Sequence, residues 1–135
     1  MLFYCRPKVI FLDDNSIKVS IKLRRRVKNH LGSMYLGALT IGADIASGYF
    51  AFHHLQKQNK KISLIFKDIH ANFYKRALGD VVFECNHGKE ISRMIDQSIQ
   101  TSKRENLPVE VVACVPSISE EMVAKFTLTL SVKVK

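Results

Sequence analysis

Asn29-His30-Leu31-Gly32-Ser33-Met34-Tyr35-Leu36-Gly37-Ala38-Leu39-Thr40-Ile41-Gly42-Ala43-Asp44-Ile45-Ala46-Ser47-Gly48-Tyr49-Phe50-Ala51-Phe52 is the stretch whose reading decides the fold. From Met34 to Phe52 the only formally charged side chain is Asp44. Apolar residues fall on every side of a helical wheel, so a helix here must be enclosed rather than laid on a surface. At 1.5 Å per residue it spans about 28 Å, enough to run through the middle of a small domain. Asn29 and Gly32 stand just before it, where such residues hand a loop over to a helix N-terminus. A transmembrane span is the competing reading, since Arg24, Arg25, Arg26 and Lys28 precede the apolar run. Asp44 at its centre would cost about 2.5–3.5 kcal/mol on insertion. Gly37, Gly42 and Gly48 suit close packing on a sheet instead. A lone carboxylate in such a helix is either held by a neighbour as a structural group or put to use.

Upstream, Lys8-Val9-Ile10-Phe11-Leu12 leads into turn chemistry at Asp13-Asp14-Asn15. Ile17, Val19, Ile21 and Leu23 then alternate with polar residues, which predicts a half-buried strand. Arg24-Arg25-Arg26 reads as a solvated strand end, because no aromatic residues interleave with it as in a nucleic-acid clamp. Downstream, the helix ends around His53-His54, an adjacent pair without the same-face spacing of a helical metal site. Gln56–Lys61 is a polar, basic link. Ile62, Leu64 and Phe66 share one strand face, and the alternation then switches to Ile69, Ala71 and Phe73. With side chains repeating every two residues, that switch predicts a bulge or bend near Lys67-Asp68.

Leu78-Gly79-Asp80 reads as a turn and Val81-Val82-Phe83-Glu84-Cys85 as a strand. Asn86 is placed to cap a second helix, whose apolar positions Ile91, Met94, Ile95 and Ile99 have helical spacing. Its polar face carries Lys89, Glu90, Arg93 and Asp96, which predicts a surface or subunit contact. Asn106-Leu107-Pro108 is expected to stop it. Two strands finish the chain. The first is Val109–Val115. In the second, Ala124, Phe126, Leu128, Leu130, Val132 and Val134 share one face. Residues 1–135 therefore read as one α+β domain, a mostly antiparallel sheet wrapped around a long central helix with one extra helix.

The chain has 135 residues, 47% of them hydrophobic, which suits one domain with a real core. No signal peptide is visible. Three cysteines without metal-like spacing predict reduced thiols and a cytoplasmic protein. A formal charge of +9 favours an anionic partner, whether nucleic acid, a phosphorylated ligand or a membrane surface.

Assembled in this order, the sequence resembles the hotdog-fold proteins of the phenylacetyl-CoA type of acyl-CoA thioesterase. It is more similar to a bacterial branch with an extra helix before the last two strands. In those thioesterases the loop and helix read Asn-x-x-Gly-x-x-His-Gly-Gly, with an acidic residue seven positions after the last Gly. Asn29, Gly32, Gly37 and Asp44 match that pattern, while Tyr35 stands in place of the His and Leu36 in place of the first Gly. Asn72-Phe73-Tyr74-Lys75-Arg76-Ala77 resembles the family's Asn-Phe-x-Arg-Pro-Ala strand. The resemblance implies that Asp44 activates water or attacks the thioester carbonyl itself. It further implies that a backbone N–H near Gly37 stabilises the oxyanion and that Asn29 orients the water or the carbonyl. Tyr35 and Leu36 would shape the acyl entrance, and Lys75 and Arg76 would hold coenzyme A phosphates. Coenzyme A enters as part of the substrate, with no other cofactor and no metal. Homodimers or dimers of dimers, with sites shared between subunits, are implied as well; no nucleic-acid partner and no transmembrane segment are expected. The rival expectation is a non-catalytic binder of acyl-CoA or fatty-acyl groups.

Overall fold

Side-chain alternation builds the sheet. The computed structural model describes residues 2–57 and 61–134, the side chains of residues 2 and 3 excepted. Its strands are β1 (Lys8–Leu12), β2 (Ile17–Ile21), β3 (Ile62–Phe73), β4 (Val81–Cys85), β5 (Glu105–Cys114) and β6 (Met122–Val134). They form a six-stranded sheet in the order β1-β2-β4-β5-β6-β3. Every neighbouring pair is antiparallel. The clean alternation of β6 has its counterpart in burial: Ala124, Phe126, Leu128, Leu130 and Val132 are all buried. The change of frame in β3 is a register shift between Phe66 and Asp68, as the switched alternation predicts.

Among the described residues, three α-helices join the sheet: α1 (Leu2–Cys5), α2 (Leu36–Gln56) and α3 (Gly88–Thr101). The long helix α2 packs on every strand from β2 to β6, and the sheet wraps it in the hotdog arrangement. It is no membrane span, for no helix among the described residues is long and apolar enough to cross one. Gly42 lets α2 approach the sheet closely: a Cβ there would lie 2.2 Å from the buried ring of Phe83. Gly42→Ala gains up to about 1 kcal/mol of helix propensity but overpacks the core at about 1–3 kcal/mol. The steric effect wins. Urea denaturation is expected to show a lower midpoint with an unchanged slope.

One expectation needs correction. The helix is not enclosed within a single chain. Ala38, Leu39, Gly42, Ala43, Ala46, Ser47, Phe50 and Ala51 are buried on the sheet. The opposite stripe, through Gly37, Ile41, Asp44, Ile45, Gly48, Tyr49 and Phe52, stays partly or fully open. A curved single-layer sheet can cover only one side of a helix that is apolar all round.

The second helix holds, with Ile91, Met94 and Ile95 buried against α2, β5 and β6. Its ends differ from expectation. His87, not Asn86, occupies the N-cap, without a side-chain cap, and the Asn86 amide donates to Glu84 instead. The helix closes at Ser102 in a left-handed conformation (φ 57°), and Asn106-Leu107-Pro108 belong to β5. There β5 pairs with β6 but not with β4, whose ladder starts at Val111. A residue without an N–H is tolerated at such a half-paired position. Likewise β2 stops at Ile21, and the Asp80 carboxylate accepts the N–H of Leu23 (2.8 Å). Residues 58–60 of the basic link lie outside the described residues.

Candidate functional site

The loop before α2 is a small hairpin. The Tyr35 N–H donates to Val27 O (2.9 Å), Lys28 bridges to Met34, and the Asn29 N–H donates to Ser33 O (2.7 Å). Gly32, at φ +79°, makes the tip, a conformation that residues with a Cβ resist. Asn29 organises this turn. Its side-chain carbonyl accepts from the N–H groups of Leu31 (2.9 Å) and Ser33 (3.1 Å), and its amide donates to Ser33 Oγ (2.9 Å). The side chain that the resemblance would use to orient water is therefore occupied in shaping the loop.

At the start of α2, Tyr35 is the N-cap residue but offers no side-chain cap. The N–H groups of the first helical turn, Leu36, Gly37 and Ala38, thus keep the donors that every helix leaves unpaired. The Tyr35 ring lies over Gly37, so close that a Cβ at Gly37 would stand 2.4 Å from it. Burial, aided by the neighbouring Cys5 thiol, pushes the Tyr35 phenol above its ordinary pKa. In front of this helix end lies a cavity of about 320 Å³, lined by Met34, Leu36, Leu39, Phe73, Lys75 and Arg76 among others. Lys75 forms an ion pair with Glu121. The exposed Arg76 guanidinium has no hydrogen-bond or ion-pair partner among the described residues, so of the two cations it is the one free for an anion.

Asp44 sits two turns further along α2, on the same side as Gly37. Seven residues put their backbones about 10.5 Å apart. The carboxylate is half-buried and, among the described residues, has no hydrogen-bond or ion-pair partner. It lies beside Gly48: a Cβ at Gly48 would be 3.7 Å from Asp44 Oδ1 and 3.2 Å from the Phe66 ring of β3. Desolvation raises its pKa above the ordinary carboxylate value. A structural carboxylate held by a neighbour is not what the geometry gives.

The structure thus brings Tyr35, Leu36, Gly37, Lys75 and Arg76 to one end of α2 and leaves Asp44 on the open stripe below them. Met34, Leu39 and Phe73, which line the cavity, were not singled out from sequence. Phe73 lay within the stretch quoted for its resemblance, whereas nothing local marks Leu39 as a lining residue. A larger cavity, about 650 Å³, lies at the far end of α2, with Asp13, Asp14, His53, His54, Lys89 and Arg93 in its walls. It holds none of the predicted site residues. His54 there pairs with Asp96 at 3.2 Å, and His53 stacks on Tyr49. The cysteines are free, Cys5 and Cys85 buried and Cys114 half-buried.

A family model described as a domain of unknown function, DUF4442, matches residues 5–132. The chain belongs to the DUF4442 family. No curated protein matches it in sequence. Among solved structures, a protein of unknown function from Chlorobaculum tepidum is similar with a TM-score of 0.83 at 13% identity, over 99% of this chain and 86% of that one. A variant of a thioesterase from Staphylococcus aureus gives 0.74 at 15% identity, over 98% and 97% of the two chains. A variant thioesterase from Pseudomonas aeruginosa gives 0.74 at 13%, over 99% and 86%. At these identities the likeness is one of fold. What the DUF4442 domain does here must be argued from its own residues.

Proposed function

We propose that this DUF4442 protein is an acyl-CoA thioesterase that hydrolyses a fatty or aryl acyl-CoA, a member of the extra-helix branch of the phenylacetyl-CoA type. The observation that carries the reading is Asp44, a partly desolvated carboxylate on the uncovered stripe of the central helix that has no hydrogen-bond or ion-pair partner among the described residues. Such a group is a general base or nucleophile held ready for use. In the reaction, Asp44 takes a proton from water as the water oxygen bonds to the thioester carbonyl carbon, or attacks that carbon itself. The N–H of Gly37, at the positive end of α2, stabilises the oxyanion. As the C–S bond breaks, the proton taken up by Asp44 passes to the sulfur, so that coenzyme A leaves as the thiol and the free acid remains. In the nucleophilic route the acyl group first stays on Asp44 as an anhydride, which water cleaves to the acid while its proton goes to the thiolate.

With backbones about 10.5 Å apart, Asp44 and Gly37 of one chain stand too far apart for the carboxylate to attack a carbonyl held at Gly37, even with the aspartate side chain leaning back toward the helix N-terminus. The reading therefore places Asp44 of one subunit against the α2 start of a second, in a two-fold homodimer that covers both open stripes. One observation favours the non-catalytic alternative: the Tyr35 ring covers Gly37 where the thioester would approach. Free-thiol release from a panel of acyl-CoAs distinguishes them. Release that scales with protein and vanishes in Asp44→Ala supports the thioesterase; binding without release supports the acyl binder.

Arg76 is assigned to a coenzyme A phosphate. Arg76→Ala is expected to weaken binding by about 1.5–3 kcal/mol, the range for hydrogen bonds to charged groups. The loss should appear as a raised KM with kcat nearly unchanged. Unaltered KM at low salt would remove the phosphate from this position.

A further inference from the structure

The function proposed above uses one anion-binding residue, Arg76, and leaves a denser group of cations unexplained. Between Asp14 and Asp44 the chain has no acidic residue, yet it carries Lys18, Lys22, Arg24, Arg25, Arg26 and Lys28. The last five are all exposed and, among the described residues, none forms an ion pair. They run from the end of β2 through the single 3-10 turn Arg25–Val27 into the hairpin before α2. That hairpin is rigidly held. Val27 and Met34 are buried, and the bonds Tyr35 N–H to Val27 O and Asn29 N–H to Ser33 O tie its legs.

At its tip, next to the Gly32 turn, Leu31 is 50% exposed, and Leu36, directly after the hairpin, is 61% exposed. Tyr4, itself 47% exposed, lies beneath Arg26, with the guanidinium 5.7 Å from the ring centroid. Apolar tips and an amphipathic ring among unpaired cations form the combination that holds a protein at an anionic bilayer. The cations meet lipid headgroups and the apolar side chains enter the acyl boundary. A nucleic-acid surface would use exposed aromatic faces for stacking; here the guanidinium of Arg26 already lies over the exposed ring of Tyr4, and the exposed apolar tips are leucines.

From this juxtaposition we infer that residues 22–36, with Tyr4, form a docking surface for an anionic membrane. Leu36 also lines the cavity beside Arg76, so a docked molecule would hold its acyl entrance at the lipid surface. In that last respect the inference deepens the thioesterase reading and rests on it; the docking itself does not.

The test is co-sedimentation of the whole protein with vesicles of phosphatidylglycerol and phosphatidylcholine in equal parts, against phosphatidylcholine alone, with no substrate present. At about 0.1 M salt, where charges are felt over about 10 Å, the parent should pellet with the anionic vesicles only and be released as salt rises. Each basic residue near an anionic leaflet strengthens partitioning about fivefold. Arg24→Glu with Arg25→Glu is therefore expected to lower it by about 25-fold or more. Leu31→Ser, which keeps the charge of the patch, should weaken partitioning while leaving the long-range electrostatic attraction in place. All these side chains are exposed, and circular dichroism confirms that each variant is folded; should the double variant fail to fold, Leu31→Ser and the salt series decide alone.

A parent that stays in solution with anionic vesicles overturns the inference. So does pelleting that neither variant reduces. Binding to a single-stranded oligonucleotide, unaffected by Leu31→Ser and without vesicle binding, overturns it in favour of nucleic acid. Vesicle binding by a protein that releases no coenzyme A would support the docking surface while removing the thioesterase.

Discussion

Asp44→Asn should lower kcat/KM for acyl-CoA hydrolysis by about 10²–10⁴-fold, the usual contribution of a positioned general base. It should also make the protein more stable at neutral pH. The two effects have one cause. Desolvation raises the Asp44 pKa above its reference value of 3.8, with no hydrogen bond among the described residues to offset it. A carboxyl whose folded pKa exceeds its unfolded value holds its proton more tightly when folded. Its contribution to stability is thus fully present below the unfolded pKa and is lost as the pH rises through the folded pKa. Asparagine removes that ionisation cost together with the base. Since the base works as the carboxylate, the acid limb of the parent's pH–rate profile should fall at a higher pH than an ordinary aspartate would give. Thermal melts of parent and variant across the acid range check the stability half. A variant no more stable than the parent at neutral pH would mean that Asp44 is not strained by its surroundings.

Ile65→Lys combined with Ile69→Lys should turn a dimer into a monomer. β3 is an edge of the sheet, paired only with β6, and twelve residues long. Ile65, Phe66, Ile69 and Phe73 on it are 36–50% exposed. A long apolar edge beside an uncovered helix stripe is a surface that natural proteins pair or protect. Burying one isoleucine contributes about 1.5–3 kcal/mol. Two residues on each of two chains therefore make the expected loss of dimer affinity at least about 10³-fold. Sedimentation velocity at micromolar concentration should show the parent at twice the 15.4 kDa of one chain and the variant at that mass. A parent already monomeric would contradict the shared site as well as the interface.

Much of the fold was readable because a few local patterns have very few structural solutions. Nineteen residues with one charge left an enclosed helix or a membrane span, and Asp44 at the centre argued for the first. The frame switch between Phe66 and Ile69 called for a bulge or bend, and the register shift there supplies it. The β6 alternation put one face into the core without ambiguity. What escaped the sequence depends on long-range neighbours or on competing local bonds. An all-apolar helix reads the same whether its cover is its own sheet or a second chain, so the open stripe around Asp44 had no signature. Lys75 looked like a free cation because its partner, Glu121, lies 46 residues away. Asn29 looked available because nothing in its identity shows that Leu31 and Ser33 will claim its carbonyl. Asn86 looked like the cap because nothing local shows that the first helical N–H, that of Gly88, will find Asn15 O (2.9 Å) across the fold while His87 takes the cap position.

The most direct test of Asp44 as the catalytic group is to follow binding and coenzyme A release side by side for the parent and Asp44→Asn with the same long-chain acyl-CoA. Calorimetry with the non-hydrolysable thioether analogue of that acyl-CoA reports binding, and a thiol-trapping dye reports cleavage of the acyl-CoA itself. The expected result is comparable affinity in both proteins, with rapid release by the parent and release reduced by at least about 10²-fold in the variant. Equal release by both, or binding by the parent with no release at all, would contradict a hydrolytic role for Asp44.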